Sequence, residues 1–338
     1  MNKYLTVLIT DTHFGTHNSS LTWLKSQKEF FDKQFIPHLK KRKKEGYLVR
    51  VVHCGDVFDS RSTINTYIAT EVVDLFSQIC ENVDRFVIVS GNHDYYGEKI
   101  EDVDTVTLMF KQLQLKYSNV FNIISRTKQK DCWGKEICLY VPWYEWIKYD
   151  DLIEYLENTE DNITHIFTHA DLIREKPDIE CPNIISGHIH VPYFKDNIKN
   201  LGSCFALTFT DCNAVRGFYE YEDGGELKFI ENTKSIRFWR FYDDEVLEIP
   251  KTVKKDDYIE IYISKSKITQ KKYADAYAQW VKKFKNIWRV PQIDEGEETM
   301  DIKQFEGYNI ENMTESLIPN ELKDKFEKIK QYINTIKD

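Results

Sequence analysis

The chain has 338 residues, 41% hydrophobic and 30% charged, enough for two or three domains and for a core that needs no disulfide or metal merely to fold. Wholesale disorder is excluded by that composition, and apolar runs such as Leu5–Ile9 are too short to span a bilayer. The net charge of −9 is unevenly spread: residues 251–290 hold 11 Lys/Arg against 4 Asp/Glu, and residues 291–316 hold 1 against 8, so an acidic body precedes a basic block and an acidic stretch.

In chain order, residues 4–10 read as a buried, β-branched strand. A helix is expected from about Thr22 to Lys44, with Leu24, Phe31, Phe35 and Leu39 at near-helical spacing and Gly46 as its stop. Residues 47–54 and 84–90 read as strands, with a helix from about Ile64 to Cys80 between them. This β-α-β-α-β alternation predicts a largely parallel sheet with helices on its faces. Shorter strands are expected at 137–141, 165–168, 183–186, 201–209 and 216–222. Residues 258–263 alternate as a strand, 270–286 form a helix, and 287–293 return as a strand, giving a small α/β module. From Asn320, Leu322, Phe326, Ile329, Ile333 and Ile336 step by three or four, a terminal amphipathic helix.

The seven cysteines are odd in number and contain no C-x-x-C pair. That argues against a zinc ribbon and a secreted disulfide framework and points to a reducing cytoplasm. The first apolar stretch is interrupted by Asp11 with no cleavage site after it, so no signal peptide is expected.

Five short motifs stand at or beyond the ends of expected strands: Asp11-x-His13, Gly55-Asp56-x-x-Asp59, Gly91-Asn92-His93-Asp94, His169 and Gly187-His188-x-His190. Ligands bind at the carboxyl ends of strands in open α/β sheets. Taken singly, D-x-H or GD-x-x-D could be loop or capping chemistry, and one histidine could be a satisfied core residue. All five in order, each after a strand, point to a two-metal site. Carboxylate, amide and imidazole donors suit Mn²⁺ or Fe²⁺, and less often Zn²⁺. Asp56 would bridge two cations and Asn92 would donate a neutral carbonyl oxygen. Cations about 3.5–4 Å apart would bind a phosphate oxygen and acidify a water.

These motifs resemble the ordered signature of the calcineurin-like metallophosphoesterases. Within them, GDVFDSR (55–61), VPW (141–143) and LGSCFALTFTDCNAVRGFYEYE (201–222) resemble the SbcD nucleases, phage versions included. The resemblance covers residues 1–225; beyond them it rests on layout. It departs from the pattern at Gly202-Ser203-Cys204, which lacks a proline, and at Thr168-His169, which lacks a glycine. It implies a four-layer α/β/β/α sandwich with a small α/β capping domain and a C-terminal helical tail. The expected parts are 1–245 (nuclease domain), 250–293 (DNA-capping domain), 294–316 (acidic linker) and 317–338 (partner-docking helix). Asp11, His13, Asp56 and His190 would hold one metal; Asp56, Asn92, His169 and His188 would hold the other. His93 would approach the scissile phosphate. Asp94 would either orient His93 or cap a helix, and Asp59 would either back up a ligand residue from behind or hold the loop. His17, His38, His53 and His165 have no expected role in the site.

A phosphodiester chain needs an anchor outside an acidic body. The basic block offers Lys265, Lys267, Lys271, Lys272, Lys282, Lys283, Lys285 and Arg289 to phosphates without reading sequence. The resemblance thus implies a Mn²⁺-dependent DNA nuclease, a 3′→5′ exonuclease on duplex ends and an endonuclease on single strands. It further implies an SbcC-type coiled-coil ATPase partner, a homodimer within a heterotetramer to which helix 64–80 would contribute, and no membrane. The rival readings are a phosphoesterase for small molecules or phosphoproteins, and a non-catalytic scaffold.

Overall fold

A computed structural model describes residues 2–96, 103–146, 149–172 and 179–291. The expected linker and terminal helix therefore lie outside the described residues. Fifteen strands are present among those described. They are β1 (Lys3–Ile9), β2 (Tyr47–His53), β3 (Arg85–Val89), β4 (Phe121–Ile124), β5 (Gln129–Trp133), β6 (Glu136–Val141), β7 (His165–Thr168), β8 (Asn183–Ser186), β9 (Tyr193–Lys195), β10 (Ile198–Asn200), β11 (Gly217–Glu222), β12 (Lys228–Glu231), β13 (Phe238–Tyr242), β14 (Tyr258–Ile263) and β15 (Asn286–Pro291). One six-stranded sheet has the order β12-β11-β1-β2-β3-β4, a second has β5-β6-β7-β8-β10-β9, and a third is β13-β14-β15.

In the first sheet β1 to β4 run parallel; in the second, β6, β7 and β8 do. Parallel strands must be covered on both faces, and the strand alternation supplies both cores. Val7, Ile9, Val49, Val51, Phe86 and Ile88 face helices Leu21–Phe30, Ile36–Lys44, Thr66–Cys80 and Thr105–Lys116. Their neighbours Leu8, Val52, Val87 and Val89 face Tyr140, Phe167 and Ile185 of the second sheet. Leu139, Val141, Ile166 and Ile184 point outward from that sheet to Leu152 of helix Tyr149–Asn158. The result is helix, sheet, sheet, helix.

The long helix expected to Lys44 is interrupted by a wide turn at Phe31–Phe35. Pro37 sits at the start of the next segment and has no N–H to give to Lys33, so the turn expands. Residues 201–209 are not a strand: Ser203 Oγ donates to Asp11 O (2.9 Å), and Ser203 N donates to His190 O (3.1 Å). The small sheet begins at Phe238, ahead of the expected boundary at residue 250. All seven cysteines are free. Among the described residues no helix is long and apolar enough to cross a membrane.

One cation is sealed between the two large sheets. Arg50 on β2 donates to Glu136 Oε2 (2.6 Å), Thr6 Oγ1 (2.7 Å) and Tyr140 Oη (3.1 Å). His165 on β7 lies beside it, stacked on Tyr221 at 5.5 Å. Burial and the charge of Arg50 lower the His165 pKa to about 4. The folded chain thus holds this ring neutral where the unfolded chain, with a pKa of about 6.5, is charged. Stability falls as pH drops from about 6.5 toward 4, at roughly 1.4 kcal/mol per pKa unit. Urea titrations at pH 7 and pH 4.5 should show that loss, and His165→Phe should reduce it; an unchanged pH dependence in the variant would refute the assignment.

Candidate metal centre

Each motif follows a parallel strand: Asp11 and His13 after β1, Asp56 after β2, Asn92 and His93 after β3, His169 after β7, His188 and His190 after β8. The parallel registers bring these strand ends to one edge of the two stacked sheets. Backbone bonds Asp11 N to Gly55 O (3.0 Å) and His13 N to Asp56 O (3.1 Å) stitch the first two loops together.

Three overlapping groups of donor atoms converge, each within 4.8 Å: Asp11, His13 and His190; His13, Asp56 and His93; Asp56, His169 and His188. In the first, His13 Nε2 and His190 Nε2 lie 3.8 and 3.7 Å from Asp11 Oδ1 and 3.2 Å from each other. In the last, His169 Nε2 is 3.3 Å from Asp56 Oδ2 and 3.1 Å from Asn92 Oδ1, and His188 Nδ1 is 2.9 Å from Asn92 Oδ1. Asp56 Oδ2 is also 3.7 Å from His13 Nε2, so this one carboxylate faces both groups.

Hydrogen bonding fixes which atoms face the centre. The His169 Nδ1–H donates to Cys54 O (2.6 Å), which leaves the Nε2 lone pair for a cation. Asp11 Oδ2 accepts from Thr10 Oγ1 (2.6 Å) and His188 N (3.2 Å). Asp11 Oδ1 is buried without a hydrogen-bond partner. An orphaned carboxylate oxygen between two facing imidazole nitrogens fits a divalent cation, and the donor set of carboxylate, amide and imidazole agrees.

The charge state of the metal-free chain agrees as well. Asp11 and Asp56 are 0% and 2% exposed. Burial would raise both pKa values, yet the His13 ring beside Asp11, and the charge of His169 on Asp56, hold them below the usual carboxylate range. Burial would lower His13, yet Asp11, Asp59 and Asp56 raise it to about 10; against burial, Asp56 likewise raises His169 to about 9. Without cations, protons on these two rings balance the carboxylates.

The backbone is bent to make this fit. Asp11, His13, Asp56 and His188 have φ of 50°, 42°, 57° and 75°, a region that costs a non-glycine residue about 1–3 kcal/mol. Gly91 and Gly187 cannot carry a Cβ, which would strike Asp56 Oδ1 and Thr10 Oγ1 respectively.

His93 donates its N–H to Asp56 Oδ1 (2.9 Å) and its Nδ1–H to Asp59 O (2.5 Å), so Nε2 is its free ring nitrogen. Its ring is 5.0 Å from that of His13. The expectation that Asp94 orients His93 is corrected: both Asp94 oxygens are spent on backbone N–H groups, those of Gly91 (2.8 Å), Asp56 (3.0 Å) and Val57 (3.0 Å). Burial and Asp56 raise its pKa to about 8. It joins the second and third loops and does not touch the His93 ring. The Asp59 side chain reaches Nδ1 of the His13 ring at 3.4 Å, behind the nitrogen that faces the centre.

Three supports were not legible in the motifs. Thr10 precedes Asp11 directly. Asn200 donates to Ile189 O (2.7 Å) and Val191 O (3.0 Å), on either side of His190. Arg216 donates to His190 O and to Asp211 Oδ1 (2.6 Å); its only sequence signal is the R-G-F run after the last motif.

Four basic residues of the small module meet partners within that module. Lys267 pairs with Asp244 (2.9 Å) and Lys285 with Asp256 (2.5 Å). Lys272 and Lys283 lie over Tyr273 and Trp280. Lys265, Lys271, Lys272, Lys282, Lys283, Lys285 and Arg289 are exposed.

A protein family described as calcineurin-like phosphoesterase matches residues 5–192. No curated protein matches the chain. Among solved structures, the anchor protein of the Plasmodium inner membrane complex is 13% identical, with a TM-score of 0.45 over 86% of this chain and 98% of that one. A phosphopantetheinyl hydrolase from Mycobacterium tuberculosis is 12% identical, with a TM-score of 0.34 over 60% of this chain and 90% of that one. A calcineurin-like phosphoesterase from Bacillus subtilis is also 12% identical, at 0.34 over 68% and 89%.

Metal analysis after reconstitution with Mn²⁺ should find about two ions per chain. Asp56→Asn should lose both and His190→Ala only one. Equal losses in the two variants would rule out a shared Asp56.

Proposed function

Because the chain belongs to the calcineurin-like phosphoesterase family, whose members cleave phosphoester bonds at a dinuclear metal centre, we propose that it is a DNA nuclease subunit of the SbcD type. The observation that carries the reading is the pairing of this centre with a basic module, 11 Lys/Arg to 4 Asp/Glu over residues 251–290, on an otherwise acidic chain. An enzyme for small phosphoesters has no use for such a block, whereas a polyanion needs it to offset repulsion from the body.

Cations bound here would polarise the phosphate and supply an acidified water as nucleophile. The residues of the chain do the rest. Asp11, His13, Asp56 and His190 fix one position; Asp56, Asn92, His169 and His188 fix the other. His93 presents Nε2 beside them, because Asp59 O holds its Nδ1–H, and protonated it would stabilise phosphate charge or give a proton to the leaving oxygen. We assign Mn²⁺ as the working metal. Cleavage would run 3′→5′ from duplex ends and internally on single strands. The partner would be an SbcC-type coiled-coil ATPase bound by residues 317–338, within a heterotetramer, in double-strand-break repair, recombination or replication.

The second reading, a phosphoesterase for small molecules or phosphoproteins, shares the metal centre but leaves the basic module without a role. End-labelled duplex and single-stranded DNA, incubated with Mn²⁺, Mg²⁺ or EDTA, separate the two. The expected result is Mn²⁺-dependent cleavage that EDTA stops and His93→Ala reduces by about 10²–10⁴-fold, the range for general acid–base groups. Brisk hydrolysis of p-nitrophenyl phosphate with no cleavage of either DNA would overturn the nuclease reading.

A further inference from the structure

Helix Leu21–Phe30 buries Trp23, Leu24, Ser26, Gln27 and Phe30. Only two of these are polar, and each has its own task. Ser26 serves the small sheet: its Oγ accepts from Ile236 N (2.7 Å). Gln27, 1% exposed, serves the loop that carries Asp11 and His13: its Nε2 donates to Thr12 O (2.6 Å). A carbonyl can only accept, so the amide nitrogen must be the end that meets Thr12 O. Gln27 Oε1 is then buried without a hydrogen-bond partner among the described residues. Packing alone does not account for such a side chain, because a leucine or methionine suits a helix as well and leaves no polar atom of its own unpaired. What the amide adds is the bond to Thr12 O.

That oxygen belongs to the peptide between Thr12 and His13. The N–H of the same peptide donates to Asp56 O (3.1 Å). A peptide is planar, so holding it at both ends fixes its plane, and with it the turn of the chain at His13. The turn needs holding: φ is 42° at His13 and 50° at Asp11, a region that persists only where the surroundings impose it. The flanking carbonyls are held as well, Asp11 O by Ser203 Oγ (2.9 Å) and His13 O by Thr16 N (3.1 Å). Ser203 and Thr10 act on Asp11, whereas the Gln27 bond acts on the peptide that leads into His13.

We infer that Gln27 is a positioning residue for the first metal position: by clamping the Thr12–His13 peptide it aims the His13 ring, whose Nε2 lies 3.8 Å from Asp11 Oδ1 and 3.7 Å from Asp56 Oδ2. The inference rests on the two-cation centre and holds whichever phosphoester is cleaved. Gln27 bonds to none of the donor atoms; it acts through the backbone of one ligand. The second position, built from Asn92, His169 and His188 around Asp56, receives no hydrogen bond from the Gln27 side chain.

The test titrates Mn²⁺ into the full-length chain and reads the free ion by electron paramagnetic resonance. Gln27→Met, similar in length but without a donor, should weaken one of the two ions by roughly 10–100-fold, the range for residues that hold a metal ligand in place, and leave the other as in the parent. Gln27→Glu, whose carboxylate has no hydrogen to give, should do the same, and it answers the question if Gln27→Met fails to fold. Ser26→Ala, which loses a bond from the same helix to the small sheet, should bind both ions as the parent does. In His190→Ala, which keeps only the second position, adding Gln27→Met should change nothing; a further loss there would mark a general loosening of the fold and overturn the inference. Two ions bound with parental affinity by the Gln27 variants would overturn it while leaving the centre intact. A parent that binds no Mn²⁺ would overturn the centre and the inference together.

Discussion

Two carboxylates taken out of water at the ends of adjacent parallel strands, Asp11 and Asp56, set the terms for the rest of the molecule. A buried carboxylate costs several kcal/mol unless a cation or hydrogen bonds answer it. Hydrogen bonds answer only part of each: Thr10 and His188 N take Asp11 Oδ2, and His93 N takes Asp56 Oδ1. The other oxygens face imidazole nitrogens. The left-handed backbone at four donor residues and the close approach of Gly91 to Asp56 are local costs the fold bears to keep this arrangement.

The centre also explains why the two sheets need a fixed register. Asp11, His13, Asp56 and Asn92 come from the first sheet, and His169, His188 and His190 from the second. A slide between sheets would pull each cation position apart. The inter-sheet core resists it by packing and by direction: Arg50 from β2 reaches Glu136 and Tyr140 on β6, and buried polar geometry of this kind tolerates little displacement. His188 N to Asp11 Oδ2 ties the same sheets at the centre itself.

Legibility in the sequence followed chemistry and length. The donor residues could be read because each stands after a strongly apolar strand and their order is itself a signal. The long buried strands β1 and β2 could be read from their continuous apolar, β-branched runs, and β14 from its alternation. Short polar strands such as β9 and β5 could not, because neighbours in space decide them. Segment 201–209 looked like a strand by composition, but its polar groups serve Asp11 O and His190 O. The roles of Asp94, Asn200 and Arg216 depend on backbone atoms of other loops, which no spacing rule reveals. The role of Gln27 was likewise hidden: 15 positions separate it from the Thr12 carbonyl it holds.

The central claim is that one carboxylate serves two cation positions built from both sheets. Crystals grown with Mn²⁺, measured at the manganese absorption edge, test it directly. The account predicts two anomalous peaks about 3.5–4 Å apart, with Asp56 between them, His13 and His190 on one and His169 and His188 on the other. A single peak, or two peaks without Asp56 between them, would contradict it.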